Sequence, residues 1–261
     1  MNASRRLRRF ERSALSGVLF REVTNYSSYW RAATFSATVE PTLYLLAFGF
    51  GLGTIVSSAA GLRYVEFVGT GTVATAVLFA SAFPGIFGTL VKWKFQRTYD
   101  GILAAPVDTH ELVTAEALWL AARAGTYGCA PLLVAIAFGL DPSWGMLLVP
   151  LIGFITGFGW ACFGIMVAAI VQSFDNTSYV VSAVLTPTFL VAGTFFPISE
   201  LPEWAQIAAN FNPLYHCVEL VRHAAFGFEP LSDLGHVGAL LVFAAVLWRL
   251  AVWRMRSRLV D

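Results

Sequence analysis

Charge is what this sequence has least of: only 13% of its 261 residues are Asp, Glu, Lys or Arg, and its only lysines are Lys92 and Lys94. A soluble domain carries roughly 25% charged residues, so there is too little charge to coat a water-facing surface. A free-standing cytosolic enzyme is thereby excluded. Cysteine is sparser still, with three residues. Cys129, Cys162 and Cys217 stand far apart, the first two inside apolar runs, so neither a CxxC metal pair nor a disulfide framework can be read, and all three are taken as packing residues. A nucleotide-binding P-loop needs Gly before its Lys, but Lys92 follows Val91 and Lys94 follows Trp93, so there is no Walker A. His110-Glu111 begins an HExxH, yet Thr114 stands where the second His belongs, which argues against a zinc protease. GxSxG, paired intramembrane aspartates and a Ser-His arrangement are all missing. No nucleic-acid partner is indicated, because topology accounts for the basic residues.

What is abundant is apolar: 57% of the residues are hydrophobic, with 22 Phe and 8 Trp, and mean hydropathy is +0.67. Disordered segments are poor in these residue types, so disorder is excluded as well. A polytopic membrane protein remains. The basic N-terminus precedes an apolar run that starts late and exceeds the ~7–15 residues of a signal-peptide core, so the N-terminus is expected to be retained.

Apolar runs long enough to cross ~30 Å of hydrocarbon occur at 33–56, 65–90, 117–140, 145–171, 179–196 and 234–252. They are continuous, without the alternation of barrel strands, which predicts six transmembrane helices in a single all-α membrane domain. Basic residues are retained on the cytoplasmic side of a bilayer. Arg5, Arg6, Arg8, Arg9, Arg12, Arg21 and Arg31 precede the first run, Lys92, Lys94 and Arg97 follow the second, and Arg249, Arg254, Arg256 and Arg258 close the sixth. Six spans put all of these on one side and both termini in the cytoplasm. The opposite side then holds Glu66, Asp141, Glu200, Glu203, Glu219, Glu229 and Asp233, with Arg63 and Arg222 as its basic residues.

Within the region 1–32, Leu7, Phe10, Ala14 and Val18 recur at helical spacing between arginines, the pattern of an amphipathic helix lying in the interface; an unstructured basic tail is the alternative. Glu40 lies inside the first run, where a carboxylate costs about 2.5–3.5 kcal/mol on insertion scales, and Pro41 predicts a kink or break beside it. Two readings stand for Glu40: a pathway or gating carboxylate, or a structural one satisfied by hydroxyls such as Tyr44. Gly49, Gly51 and Gly53 form a small-residue stripe and Gly153 with Gly157 a GxxxG, suited to close helix packing in the bundle or to an oligomer contact.

The cytoplasmic segment 91–116 interleaves charges with aromatics, and Asp108 followed by Glu111 is a capping box that starts a helix running on into the third span. Segment 197–233 predicts two short helices dipping into the outer leaflet. One carries Trp204, Ile207, Ala208 and Phe211 on a stripe; the other, after Asn212-Pro213, places Glu219 beside Arg222 and His223. His223 is read as a satisfied polar residue without catalysis.

Taken together, EPTLYLLAFGFGLG at 40–53, QRTYD at 96–100 with EALW at 116–119, TP at 186–187 with GTFFP at 193–197 and LP at 201–202, NPL at 212–214 and HVGAL at 236–240 form an ordered set over nearly the whole chain. In this the chain resembles the ABC-2 type exporter permeases, on the branch of the nodulation-factor (lipo-oligosaccharide) and daunorubicin-type drug exporters. The resemblance implies a permease subunit of the bacterial cytoplasmic membrane with no ATPase site of its own. It implies two copies of a separate ATPase subunit, which would hold ATP and Mg, and a second copy of this permease or a related one. The exported substrate would be an amphiphile, moved by alternating access. Carried over, the surface on the ATPase is 4–23 with 97–111, naming Arg97, Tyr99, Asp100, Asp108, His110 and Glu111. The pathway or gate is assigned to Glu40, Pro41, Tyr44, Pro197, Trp204 and Phe211. An ion-coupled secondary transporter with Glu40 as proton carrier and a membrane-embedded lipid-processing enzyme are the competing readings.

Overall fold

The computed structural model describes residues 12–51, 53 and 58–259, with only the backbone at positions 37, 40, 41 and 50. It begins with α1 (Arg12–Ser27) and α2 (Trp30–Leu46), which continues as a π turn over Ala47–Gly51. A two-residue antiparallel hairpin, β1 (Ser58–Ala59) and β2 (Leu62–Arg63), is the one departure from an all-α chain among the described residues. Then come α3 (Tyr64–Phe83) with π turns at Pro84–Gly88 and Val91–Phe95, α4 (Thr98–Leu103), α5 (Thr109–Tyr127), α6 (Cys129–Ala137) and α7 (Val149–Ile170). The chain closes with α8 (Phe174–Val180), a π turn at Val181–Leu185, α9 (Thr186–Leu190), α10 (Glu203–Asn210), α11 (Pro213–Phe226) and α12 (Pro230–Leu259).

Among the described residues four stretches are long and apolar enough to cross a membrane: Tyr64–Phe95, Thr109–Ala137, Trp144–Ile170 and Pro230–Leu259. They fall on the second, third, fourth and sixth apolar runs. The first and fifth runs correspond to Trp30–Gly51 and Phe174–Leu190, which are helical without meeting that length and hydropathy together. Several boundaries differ from the sequence reading. The helix predicted over 65–90 extends to Phe95, so its 32 residues span about 48 Å, well beyond ~30 Å of hydrocarbon. That predicted over 117–140 begins at Thr109, where the capping box places it. The one predicted over 179–196 starts at Phe174 and ends at Leu190, before Gly193 adopts φ +77. The one predicted over 234–252 runs from Pro230 to Leu259. The break expected at Pro41 is absent from the secondary structure, since α2 runs through position 41; the side chains of Glu40 and Pro41 lie outside the described ones.

The core forms around α3 and α7. The apolar window of α3 is 72% buried and that of α12 only 17%, so α3 is central and α12 peripheral. Close approach is made by glycine. A Cβ on Gly157 would lie 2.6 Å from Ala124 Cβ, and one on Gly153 3.0 Å from Gly125 Cα, so the GxxxG packs α7 on α5 within the chain. Gly49 and Gly53 meet only side chains at 3.6 Å or more and Gly51 meets nothing within 4 Å, so that stripe makes no such approach to the described residues.

The bundle has two chemically distinct ends. At one, Lys92 reaches Glu22, Lys94 donates to the Gln172 carbonyl, and Arg258 lies 5.3 Å over the Trp93 ring. At the other, Arg63 donates to the Gly139 carbonyl, Ser143 Oγ donates to the Ala224 carbonyl at 3.0 Å and Arg222 to the Gly193 carbonyl at 2.6 Å. The segments assigned by charge to one side thus gather at one end.

Candidate functional site

The basic end is organised by a buried charged knot. Lys92 Nζ donates to Glu22 Oε2 and to Glu116 Oε1, each at 2.9 Å, while Tyr99 OH donates to Glu116 Oε2. Arg21 Nη1 adds a contact to Glu22 Oε1 at 2.7 Å. Glu22 and Glu116 are 3% and 2% exposed, so their charges survive only because they are paired. Burial first, then the Glu116 carboxylate, holds the Tyr99 hydroxyl well above its usual pKa, which keeps it a neutral donor. Four elements meet here: α1 through Glu22, the end of the α3 helix through Lys92, α4 through Tyr99 and α5 through Glu116.

Each is positioned by local sequence. Val18 and Glu22 occupy one face of α1, and Val18 packs with Tyr99, Leu112 and Val113. Leu7 and Phe10 of the predicted stripe lie outside the described residues. Arg97 takes φ 48, the left-handed turn that ends the long helix and starts α4. Asp108 caps α5, its carboxylate accepting from Thr109 N at 2.6 Å while its own N–H donates to Glu111 Oε2 at 3.0 Å. His110 Nδ1 lies 3.6 Å from Asp108 Oδ2. The six residues proposed for the ATPase surface therefore divide by position. Tyr99 and Glu111 are buried, Asp108 and His110 half-buried, and Arg97 and Asp100 exposed.

The proposed pathway residues are not gathered into one site. Tyr44 stacks on Phe48 at 6.4 Å, Pro197 leads into a short 3-10 turn, and Trp204 and Phe211 are 71% and 83% exposed. The apolar stripe of α10 faces outward; Ala205 and Ala209 form its buried face. A file of rings does connect the two ends, from Phe95 through Phe174, Phe87, Phe83, Phe79 and Phe189 to Phe195 and Phe48, with neighbouring centroids 4.6 to 6.4 Å apart. It joins α3, α8, α9 and α2. Among the described residues the π turns fall on the same stretches, Trp30–Gly51, Tyr64–Phe95 and Phe174–Leu190, a feature common at functional positions.

Sequence reasoning missed the knot as a unit, and it missed Arg123. This guanidinium sits inside the apolar stretch Thr109–Ala137, 5.0 Å over the Tyr26 ring and 5.6 Å over Tyr127. Tyr127 OH lies 3.1 Å from Thr34 Oγ1 and against Tyr26 OH, so this cluster ties α1, α2 and α5 together above the knot.

The acidic end carries a second polar cluster. His216 Nε2 is 3.0 Å from the Asn210 carbonyl and so donates; its Nδ1, 2.7 Å from His236 Nδ1, accepts. Ser232 Oγ, 3.2 Å from His236 Nε2, completes an all-neutral chain between α11 and α12. Glu219 pairs with Arg222 at 3.1 Å as expected, but His223 pairs with Asp233 at 2.5 Å. Burial lowers the His216 pKa, so the native fold takes up this proton less readily than the unfolded chain, and stability is lost as pH falls below ~6.5. The melting temperature of the purified chain is expected to drop between pH 7 and pH 5, and to drop less in His216→Gln; equal pH dependence in both proteins would remove the histidine pair from the account.

The description "ABC-2 type transporter" matches this chain over residues 14–226. The chain is similar to Nodulation protein J of Rhizobium leguminosarum bv. trifolii, 32% identical over 241 residues, 90% of this chain and 91% of that protein. It is 32% identical to Nodulation protein J of Rhizobium meliloti (strain 1021) over 91% of this chain and 92% of the relative. Similarity extends to the inner membrane transport permease YadH of Escherichia coli (strain K12), at 25% identity over 94% and 95% of the two chains.

Proposed function

The chain belongs to the ABC-2 type transporter family, and from that membership we propose that it works as half of an ATP-driven exporter in the bacterial inner membrane. Two copies of this permease, or one with a related permease, pair with two ATPase subunits that hold ATP and Mg. Six spans cross the membrane with both termini in the cytoplasm; the gathering of Lys92, Lys94, Arg254, Arg256 and Arg258 near one end supports this orientation. The surface that meets the ATPase is α1 with the elbow 97–111.

The observation that carries the proposal is the knot at Lys92. ATP-driven closure of the ATPases pushes on the exposed face of α4 at Asp100 and Gly101, and the push reaches three other elements because Tyr99, Glu116, Lys92 and Glu22 form one hydrogen-bonded unit. A coupling element that rocks whole helices between two arrangements must be rigid at this point. The cargo is an amphiphile, lipo-oligosaccharide, glycolipid or drug-like, whose apolar part follows the ring file between Phe95 and Phe48. Segment 197–233, with Pro197, Trp204 and Phe211, forms the outer gate, and Glu40, Pro41 and Tyr44 are assigned to the pathway.

Asp100 tests the elbow without disturbing the knot. It is exposed on α4, so Asp100→Ala is expected to leave the melting temperature within the change caused by ~0.5 kcal/mol. Permease-stimulated ATP hydrolysis should fall by about two- to fivefold, the range of one exposed ion pair. Unchanged stimulation in this variant would move the ATPase contact elsewhere.

A further inference from the structure

On the last turns of α12, Arg249, Trp253 and Arg256 follow one another at helical spacing and share a side of the helix. That side is turned away from the core: Trp253 is 64% exposed. Between it and the start of α5 runs an open groove of about 850 Å³, whose walls include Asp108, His110, Trp248, Arg249, Trp253 and Arg256. This is within the ~300–1,000 Å³ that holds a drug-sized ligand. The remaining wall, including Val246 and Leu250, is aliphatic and leads away from the helix end toward the middle of the span.

The charges in the groove are unevenly committed. The Asp108 carboxylate already accepts from Thr109 N at 2.6 Å and faces His110 Nδ1 at 3.6 Å. No described carboxylate lies within ion-pair distance of Arg249 or Arg256. Trp248 is fixed by its indole N–H, which donates to Thr114 Oγ1 at 2.9 Å. Two guanidiniums and an exposed indole at the end of a membrane-crossing helix, above an aliphatic wall, are the complement of an anionic headgroup with its acyl chains beneath. A soluble anion would satisfy the arginines and leave the aliphatic wall uncovered.

We propose that this groove binds an anionic phospholipid, its phosphate on Arg249 and Arg256, Trp253 at the glycerol ester and the acyl chains along Val246 and Leu250. A bound lipid would bridge α12 to the cap of α5 and so steady the elbow from its outer flank. The site depends on α12 crossing the membrane; because Asp108 and His110 in its wall also lie on the elbow assigned to the ATPase, an added ATPase subunit is one arm of the test.

The test uses the full chain purified in a neutral detergent and offered phosphatidylglycerol and phosphatidylcholine of matched chain length, with retained lipid read by native mass spectrometry. The wild-type chain is expected to retain phosphatidylglycerol about thirtyfold over phosphatidylcholine, the scale of two arginines at an anionic surface. Inorganic phosphate or glycerol 3-phosphate should not displace it. R249Q/R256Q is expected to lose the preference and R249K/R256K to keep most of it. Equal retention of the two lipids by wild type, displacement by either soluble phosphate, or an unchanged preference in R249Q/R256Q would overturn the proposal. So would exclusion of phosphatidylglycerol from wild type by an added ATPase subunit, which would assign the groove to protein. If R249Q/R256Q does not purify as a single species, the wild-type competition together with a reduced preference in W253A decides the matter.

Discussion

Lys92→Met is expected to uncouple the transporter. Methionine keeps the length and packing of the lysine stem but leaves the buried Glu116 with the Tyr99 hydroxyl alone and the buried Glu22 with only the part-exposed Arg21. Removing one partner of a buried ion pair costs about 3–5 kcal/mol. With every ~1.4 kcal/mol worth tenfold, the balance between a docked and a released α1 moves by about a hundredfold or more. In the assembled complex, permease-dependent ATP hydrolysis and transport should fall by at least about tenfold, and the melting temperature should drop. A second variant separates rigidity from charge. Lys92→Met with Glu22→Leu and Glu116→Gln leaves no buried carboxylate unpaired and retains an acceptor for Tyr99, so its melting temperature should return toward wild type. A Lys92→Met protein with full coupling would show that the knot is packing only.

Gly164→Val is expected to prevent accumulation of folded protein. At this crossing of α3 and α7 a Cβ on Gly164 would sit 2.6 Å from the Ala82 carbonyl oxygen and 2.8 Å from Gly85 carbons, and one on Gly85 would sit 2.9 Å from the Ala161 carbonyl oxygen. Both obstacles are helix backbone, which cannot swing aside as a side chain can. Overpacking a core costs typically 1–3 kcal/mol where side chains can adjust; here two central helices must separate, and the loss should exceed that range. Gly238→Ala in α12 is the control, since nothing lies within 4 Å of its added Cβ. It should be neutral or gain up to ~1 kcal/mol from helix propensity. Gel filtration of the two detergent-purified variants reads the difference; a monodisperse, normally melting Gly164→Val would remove this crossing from the packing account.

The legible parts of this fold are those set by local rules. Asp108 and Glu111 announced the start of α5, and apolar runs located the helices that TM length and hydropathy support at 64–95, 109–137, 144–170 and 230–259. Periodicity identified α10 but not the direction of its apolar face, because in a bilayer an apolar stripe can face lipid as readily as core; Trp204 and Phe211 point outward. The knot was hidden by sequence distance, Glu22 and Lys92 being 70 residues apart. Its signal was nevertheless present. Glu22 continues the Ala14–Val18 stripe by one turn, and Glu116 falls on the same face of α5 as Leu112 and Leu120, so each carboxylate on an apolar stripe demanded a cation. With Lys92 and Lys94 as the only lysines, the candidates were few. Arg123 carried the same kind of signal, a charge inside an apolar run. The ring file was not legible, because contacts among α2, α3, α8 and α9 follow from tertiary packing and Phe is common throughout the chain.

The most direct test of the account is affinity capture of the tagged chain from native membranes, with identification of what accompanies it and an ATPase assay on the isolated complex. A P-loop ATPase is expected to co-purify in equal amount, its hydrolysis dependent on this chain and lost with Lys92→Met. Recovery of the chain alone, moving an amphiphile in vesicles on a proton gradient without nucleotide, would contradict it.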